Sequence, residues 1–218
     1  MRISEYKTIV FDCDGVILNS NKVKTEAFYK AALPYGEKNA KALEQYHVEN
    51  GGVSRFVKFD YFLKEIVSKY DNESTEVSSL LKAFAGFVFK GLLECEIASG
   101  IGELKKNTPN SNWMVVSGGA QDELRNIFRI RNLMCYFNGG VFGSPDDKDT
   151  ILNRELDKAN IRKPAVFIGD SKLDYISASK AGLDFIFLTE WTEFKNWNDF
   201  FVDKDVRIEN NLSSLVDF

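Results

Sequence analysis

Thr8-Ile9-Val10-Phe11-Asp12-Cys13-Asp14-Gly15 sets a short apolar, β-branched and aromatic run against an abrupt polar cluster. Such a run reads as a buried strand, and the aspartates with the glycine behind them read as the loop into which it opens. The same boundary recurs downstream. Residues 113–116 stop at Ser117, Gly118 and Gly119, residues 165–168 stop at Gly169 and Asp170, and residues 185–188 stop at Thr189.

Between these strands the apolar spacing turns helical, over residues 121–130, 149–159 and 173–181, the last closed by Gly182 as a left-handed cap. Strands alternating with helices predict an α/β fold, a Rossmann-like parallel sheet covered on both faces. In such a sheet the carboxyl ends of the strands form the ligand crevice, so Asp12, Ser117 and Asp170 are expected to meet there. The first strand and the second lie too far apart for a single crossover helix. Helical patterns fill the gap, over residues 23–33, 38–46, 56–70 and 76–89, interrupted by a loop with Gly51 and Gly52. The expected organisation is a core of residues 1–18 and 91–218 with a small all-helical cap domain of residues 19–90 inserted after the first strand.

A chain of 218 residues with 44% hydrophobic content can bury one such core and its insertion. The formal charge of −4 offers no general cationic surface, which argues against nucleic acid as a partner. No apolar run of about 18 residues and no charged-then-apolar leader is present, so a cytoplasmic protein with no membrane partner is expected. Nothing in the sequence specifies an oligomeric state. Cys13, Cys95 and Cys135 are far apart, without CxxC spacing, and are expected to be small structural side chains. His47 is the single histidine and sits in a polar stretch, where an exposed position near a helix end is expected. A Ser-His-Asp triad or a histidine-containing zinc site would have to be built on it. Chemistry therefore falls to carboxylates, lysines and hydroxyls.

Asp12 and Asp14, two residues apart, can both project into the crevice while Gly15 permits a sharp turn. Carboxylates held so close repel unless a cation lies between them, and Mg2+ takes oxygen ligands of this kind. Asp170 and Asp174, at the third strand's end and one turn into its helix, can supply further metal charge. Ser117 and Gly118 end a strand before a helix, where a hydroxyl and free N–H groups can hold phosphate oxygens. Lys148 leads into the next helix; an ammonium there can bind a transferring phosphate and restrain a carboxylate nucleophile.

Taken in order, Val10 to Ile17 with its DxD motif, Val115 to Gly118, Lys148, and Gly169, Asp170, Ser171 and Asp174 resemble the haloacid dehalogenase superfamily. The likeness spans the whole chain. The helical insertion is similar to that superfamily's C1 cap, and the group resembled is that of phosphoglycolate phosphatases and β-phosphoglucomutases. The resemblance implies a phosphatase acting on a small phosphorylated metabolite, a phosphosugar or phospho-sugar-acid. Asp12 would form an aspartyl-phosphate, and Asp14 would serve as acid and then base. Mg2+ would be held by Asp12, Asp170 and the Asp14 backbone carbonyl, with Asp174 behind them, and Ser117 and Lys148 would bind the phosphoryl oxygens.

Asp14-Gly15 is the phosphotransferase form of the motif; a dehalogenase needs no acid there. A phosphosugar mutase is the alternative, because Gly52-Val53-Ser54-Arg55 resembles the mutase substrate loop whose arginine grips the substrate's second phosphate. The chain departs from the mutase at Lys24, where that enzyme carries a histidine. Arg55 can equally cap a helix or pair with Glu49. A fold retained without activity should have lost a nucleophile, an acid or the lysine, and none is missing. Lys22, Lys24, Arg55 and Lys58 hint at a second anionic group on the substrate. The aromatic stretch from Trp191 to Phe201 is expected to pack over the sheet edge, and residues 208–215 resemble the family's last short strand and helix.

Overall fold

The strands are β1 (Thr8–Phe11), β2 (Asn112–Ala120), β3 (Gly140–Ser144), β4 (Ala165–Gly169), β5 (Asp184–Leu188) and β6 (Arg207–Glu209). In the computed structural model, which describes residues 1–67 and 73–216, they form one parallel sheet of order β3-β2-β1-β4-β5-β6. The run that opened the sequence reading is thus a central strand, buried at every position. Side-chain alternation explains why it is apolar throughout. Ile9 and Phe11 join Trp113, Val115, Val166 and Ile168 on one face, while Val10 joins Met114, Val116 and Phe167 on the other. Each such side chain contributes about 2 kcal/mol by leaving water.

Between β1 and β2 lie α1 (Asn21–Ala32), α2 (Glu37–Glu49), α3 (Arg55–Tyr61), α4 (Glu73–Glu94) and α5 (Ile101–Asn107), with a π-helical turn, Phe62–Ile66, extending α3. Helix α1 packs against α2 and α4, and α3 against α4. Their shared interior is aromatic: the ring of Phe28 stands 5.1 Å from that of Phe59 and 4.4 Å from that of Phe84. The helix expected over 56–70 is observed as α3 and its π turn; residues 68–70 of that expectation lie outside the described residues. Helix α3 also touches β2, and α4 touches α6 (Gln121–Ile130), so the insertion rests over one end of the sheet.

Helices α7 (Lys148–Asp157) and α8 (Lys172–Ala181) lie where the sequence placed them, α8 ending at a left-handed Gly182. The strand expected to stop at Val116 instead runs to Ala120, with its register against β3 broken between Val116 and Ala120. Strand β3 was not expected: only Val141 and Phe142 separate its glycines, too short a run to signal a strand without the β2 edge beside it. The aromatic C-terminal stretch covers the β5 side of the sheet, as expected. Phe201, on α9 (Trp197–Phe201), stands 4.9 Å from Phe187 between ring centroids, and Phe200 stands 5.7 Å from Tyr175. No helix of the described residues is long and apolar enough to cross a membrane.

Candidate active site

Asp12 follows β1 directly, its N–H donating to the Ile168 carbonyl oxygen at 2.9 Å, so the backbone stays in the sheet as the side chain reaches the crevice. The loop beyond is pinned by Leu18 N–H on the Cys13 carbonyl at 2.9 Å and by Gly15 N–H on the Leu18 carbonyl at 2.8 Å. Gly15 has a φ of 73°, and an added Cβ would stand 2.1 Å from Asp170 Oδ2. Glycine is required there both by backbone and by space.

That close approach brings the two carboxylate loops together. Asp12, Asp170 and Asp174 each offer an oxygen within 4.8 Å of the others, and all three are buried. Lys148, on the first turn of α7, bridges Asp12 Oδ1 at 3.0 Å and Asp174 Oδ1. Asp174 is held in turn by a capping box: its Oδ2 accepts from Ser171 N–H at 3.0 Å and from Ser171 Oγ at 2.6 Å. Asn21 donates to Asp170 Oδ2 at 2.8 Å and to the Trp191 carbonyl at 2.9 Å.

The Asp14 side chain lies apart from this cluster. It accepts from Ser20 Oγ at 2.5 Å and pairs with Lys24. Burial pushes its carboxyl up, but Lys24 and the hydroxyl outweigh it and hold the group below its ordinary value. Asp12 goes the other way: burial, opposed by Lys148 and reinforced by Asp174 and Asp14, raises it to about 7. Asp170 is raised well above the usual carboxylate range by burial and by the charges of Asp174 and Asp12. Burial also works against the charge on Lys148, and Asp12 and Asp174 more than compensate, holding it above its ordinary value.

One buried oxygen, Asp12 Oδ1, accepts no aligned hydrogen bond despite the nearby ammonium. Three buried carboxylates whose oxygens lie within 4.8 Å of one another, with no histidine or cysteine among them, fit a hard divalent cation such as Mg2+.

A cavity of about 300 Å³ opens over Asp12 and Asp14 and extends beneath the inserted helices, a size suited to a small metabolite. Gly118 lines it, and an added Cβ there would stand 2.2 Å from the Gly52 carbonyl oxygen. Ser117 is fully buried and its Oγ accepts from Gly119 N–H at 3.1 Å; it does not line the cavity. Arg55 does line it, yet its guanidinium is engaged bidentately by Glu123 on α6, at 2.5 and 3.1 Å, rather than by Glu49. His47 is not the exposed residue expected: it is half-buried and faces the cavity, where Lys58 Nζ lies 2.7 Å from its Nδ1.

Sequence reasoning missed Ser20, Asn21 and Glu123, and it did not foresee that Lys24 grips Asp14. The first three carry short polar side chains or an ordinary helix-start glutamate, without a spacing that marks them. Only the position of Ser20 and Asn21, just after the motif loop, was a signal.

Lys58 yields a pH-dependent expectation. Burial first, then the charges of Lys24 and Lys148, opposed by Asp14 and Glu193, push its ammonium down to about 7; His47 faces it as a neutral ring. The unfolded chain then binds more protons than the native one from about pH 7 up to the ordinary lysine value of 10.5, so the penalty is full below that window and relieved as pH rises through it. Lys58→Met is expected to melt above the wild type at about pH 6, with the gap narrowing by about pH 10. A gap of unchanged size across that range in thermal melts would contradict the account.

A parallel α/β sheet with buried carboxylates gathered at its strand ends defines a hydrolase-type acidic centre fit for a divalent cation. The model of the haloacid dehalogenase-like hydrolases matches residues 6–182, and the chain belongs to that family. Solved structures agree on the fold. A predicted phosphatase from Clostridium acetobutylicum is 19% identical with a TM-score of 0.73, over 96% of each chain. A presumed phosphoglycolate phosphatase from Lactobacillus plantarum is 21% identical with a TM-score of 0.71, again over 96% of each chain. A β-phosphoglucomutase from Clostridium difficile is 16% identical with a TM-score of 0.71, over 95% of this chain and 92% of its own. No curated protein sequence matches the chain.

Proposed function

We propose that the protein is a Mg2+-dependent phosphatase of small phosphorylated metabolites, of the phosphosugar or phospho-sugar-acid class, with Asp12 as its nucleophile. The observation that carries this reading is the Asp12 carboxylate, buried, lining a metabolite-sized cavity, with Oδ1 3.0 Å from Lys148. Asp12 attacks phosphorus in line, the leaving oxygen departs with a proton from Asp14, and water, deprotonated by Asp14, hydrolyses the aspartyl-phosphate. Lys24 and Ser20 keep Asp14 as a carboxylate in the free protein, the form that takes the proton from water. An incoming phosphate opposes Lys24 and raises Asp14 toward the acid needed first.

Lys148 holds Asp12 in place and offsets charge on the transferring phosphoryl group. Asp12 and Asp170 would ligate Mg2+, with the Asp14 backbone carbonyl; both oxygens of Asp174 are already engaged by Lys148 and Ser171, so it orients rather than ligates. When bound, the ion supplies charge neutralisation between an anionic nucleophile and an anionic phosphate. Residues 19–90 are read as a cap that closes the cavity, and residues 1–18 and 91–218 as the catalytic core. The mutase alternative has less support, since Lys24 replaces the expected histidine and Arg55 is already paired with Glu123.

Phosphate release from phosphorylated sugars, sugar acids and phosphoglycolate, assayed with Mg2+ and with chelator, tests the reading. Release that requires Mg2+ is expected; no release from any member of the panel would sink it. Binding should also register without turnover. Mg2+ at about a hundredfold over its dissociation constant stabilises by about 2.7 kcal/mol, a melting-temperature rise of about 5–10 °C. Asp170→Asn should remove most of that rise, and an equal rise in the variant would place the ion elsewhere.

A further inference from the structure

The cavity lined by Asp12 is lined also by a lysine–histidine pair on the inserted helices. His47 lies in the last turn of α2 and Lys58 lies in α3, and both line the cavity. Lys58 Nζ is 2.7 Å from His47 Nδ1 and 3.3 Å from the His47 carbonyl oxygen. The His47 ring is set against Phe28, with centroids 4.4 Å apart, and the Lys58 ammonium stands 5.4 Å from the same Phe28 ring. The pair is therefore held in a fixed place by packing.

Lys58 is 1% exposed, a depth at which lysine is seldom found without a carboxylate. The other buried cations that line the cavity each have one: Lys24 pairs with Asp14, and Arg55 with Glu123. Among the described residues Lys58 has no carboxylate within ion-pair distance, only the histidine and its carbonyl. Burial and the charges of Lys58 and Lys24 hold His47 well below its ordinary value, so the ring is neutral at neutral pH. When Lys58 is protonated it can only donate, so His47 Nδ1 accepts from it and the ring hydrogen resides on Nε2. A buried ammonium beside a second N–H donor, in a cavity that opens onto the nucleophile, lacks only an anion.

We infer that Lys58 and His47 form a second anion subsite, which receives a carboxylate or second phosphate carried on the leaving group of the phosphoester cleaved at Asp12. The inference rests on the phosphatase reading and narrows the second-anion role, which the sequence suggested for Lys22, Lys24, Arg55 and Lys58, to Lys58 together with His47, a pair with no carboxylate within ion-pair distance among the described residues. The substrate class that follows is a compact phosphomonoester with a second negative group. Its anion supplies a countercharge in direct contact with Lys58, on which Asp14 and Glu193 act only from beyond ion-pair distance.

Uncleavable probes test the subsite apart from turnover. Phosphonopropionate and propylene bisphosphonate each carry a second anion, the one a carboxylate and the other a phosphonate; ethylphosphonate carries none. Calorimetric titration with Mg2+ is expected to show Lys58→Met weakening one or both dianionic probes by about 30-fold while weakening ethylphosphonate far less. Whichever dianionic probe suffers the larger loss names the anion. Lys58→Arg should restore part of the affinity, and His47→Phe, which keeps a ring on Phe28, should weaken the same probes selectively if Lys58→Met does not fold. Equal losses on all probes, or none, would overturn the subsite. If the wild type binds the probes with this selectivity but cleaves no phosphoester, the phosphatase reading fails and the subsite stands; if it cleaves phosphoesters and the selectivity is absent, the reverse holds.

Discussion

Asp12→Asn leaves less than about one part in a thousand of the wild-type turnover, with the fold intact. An amide oxygen is a poor nucleophile toward phosphorus, and among the described residues the neighbouring carboxylates are already engaged, Asp14 by Lys24 and Ser20. Asp170 is held by Asn21, and Asp174 by Lys148 and Ser171. The variant should not melt below the wild type. Asp12 is 3% exposed, and its carboxyl is pushed up to about 7, so the native protein strains to keep a charge there and a neutral amide of equal size relieves it. Steady-state phosphate release and a thermal melt on the same preparation check both halves. Residual activity above about one part in a thousand, in a protein that melts normally, would argue against covalent catalysis at this residue.

Lys148→Met is expected to cost both stability and rate. The ammonium lies between Asp12 and Asp174, which are 3% and 0% exposed, and its removal leaves buried carboxylates without their cation. Breaking a buried pair this way costs about 3–5 kcal/mol, and because Asp12 can take a proton the low end of that range is expected. For a chain of this length that is a melting-temperature drop of roughly 6–12 °C. Turnover should fall by about a hundredfold or more, since in the proposed mechanism the same ammonium would position Asp12 and meet the transferring phosphoryl group. An unchanged melt together with a rate within about tenfold of wild type would show that Lys148 is neither the clamp nor the phosphate ligand described.

Strand β1 and the loops after it were legible because their chemistry is local. A buried central strand must be apolar on both faces, and a polar cluster at its end has few uses other than a site. Four widely separated segments, ending at Asp14, Gly118, Lys148 and Asp174, could therefore be assigned to one crevice from the sequence, and the structure brings them to the same end of the sheet. What the sequence hid was mostly non-local. Strand β3 exists because β2 offers it an edge, and Glu123 matters because α6 brings it against the Arg55 guanidinium. His47 was misjudged for the same reason. The stretch from Gln45 to Asn50 is mostly polar, but the ring's neighbours in space are Phe28 and Lys58. Ser117 was placed at the right strand end, and what the sequence did not show is that its Oγ accepts from Gly119 N–H where the register of β2 breaks.

Covalent capture at Asp12 tests the central claim most directly. Protein turning over a cleavable phosphoester is quenched, its acyl phosphate is reduced with borohydride, and the peptides are mapped by mass. Reduction of an aspartyl-phosphate converts that residue to homoserine, and homoserine at position 12, absent from Asp12→Asn, is the result predicted. Homoserine at another carboxylate, with position 12 unmodified, would contradict the account.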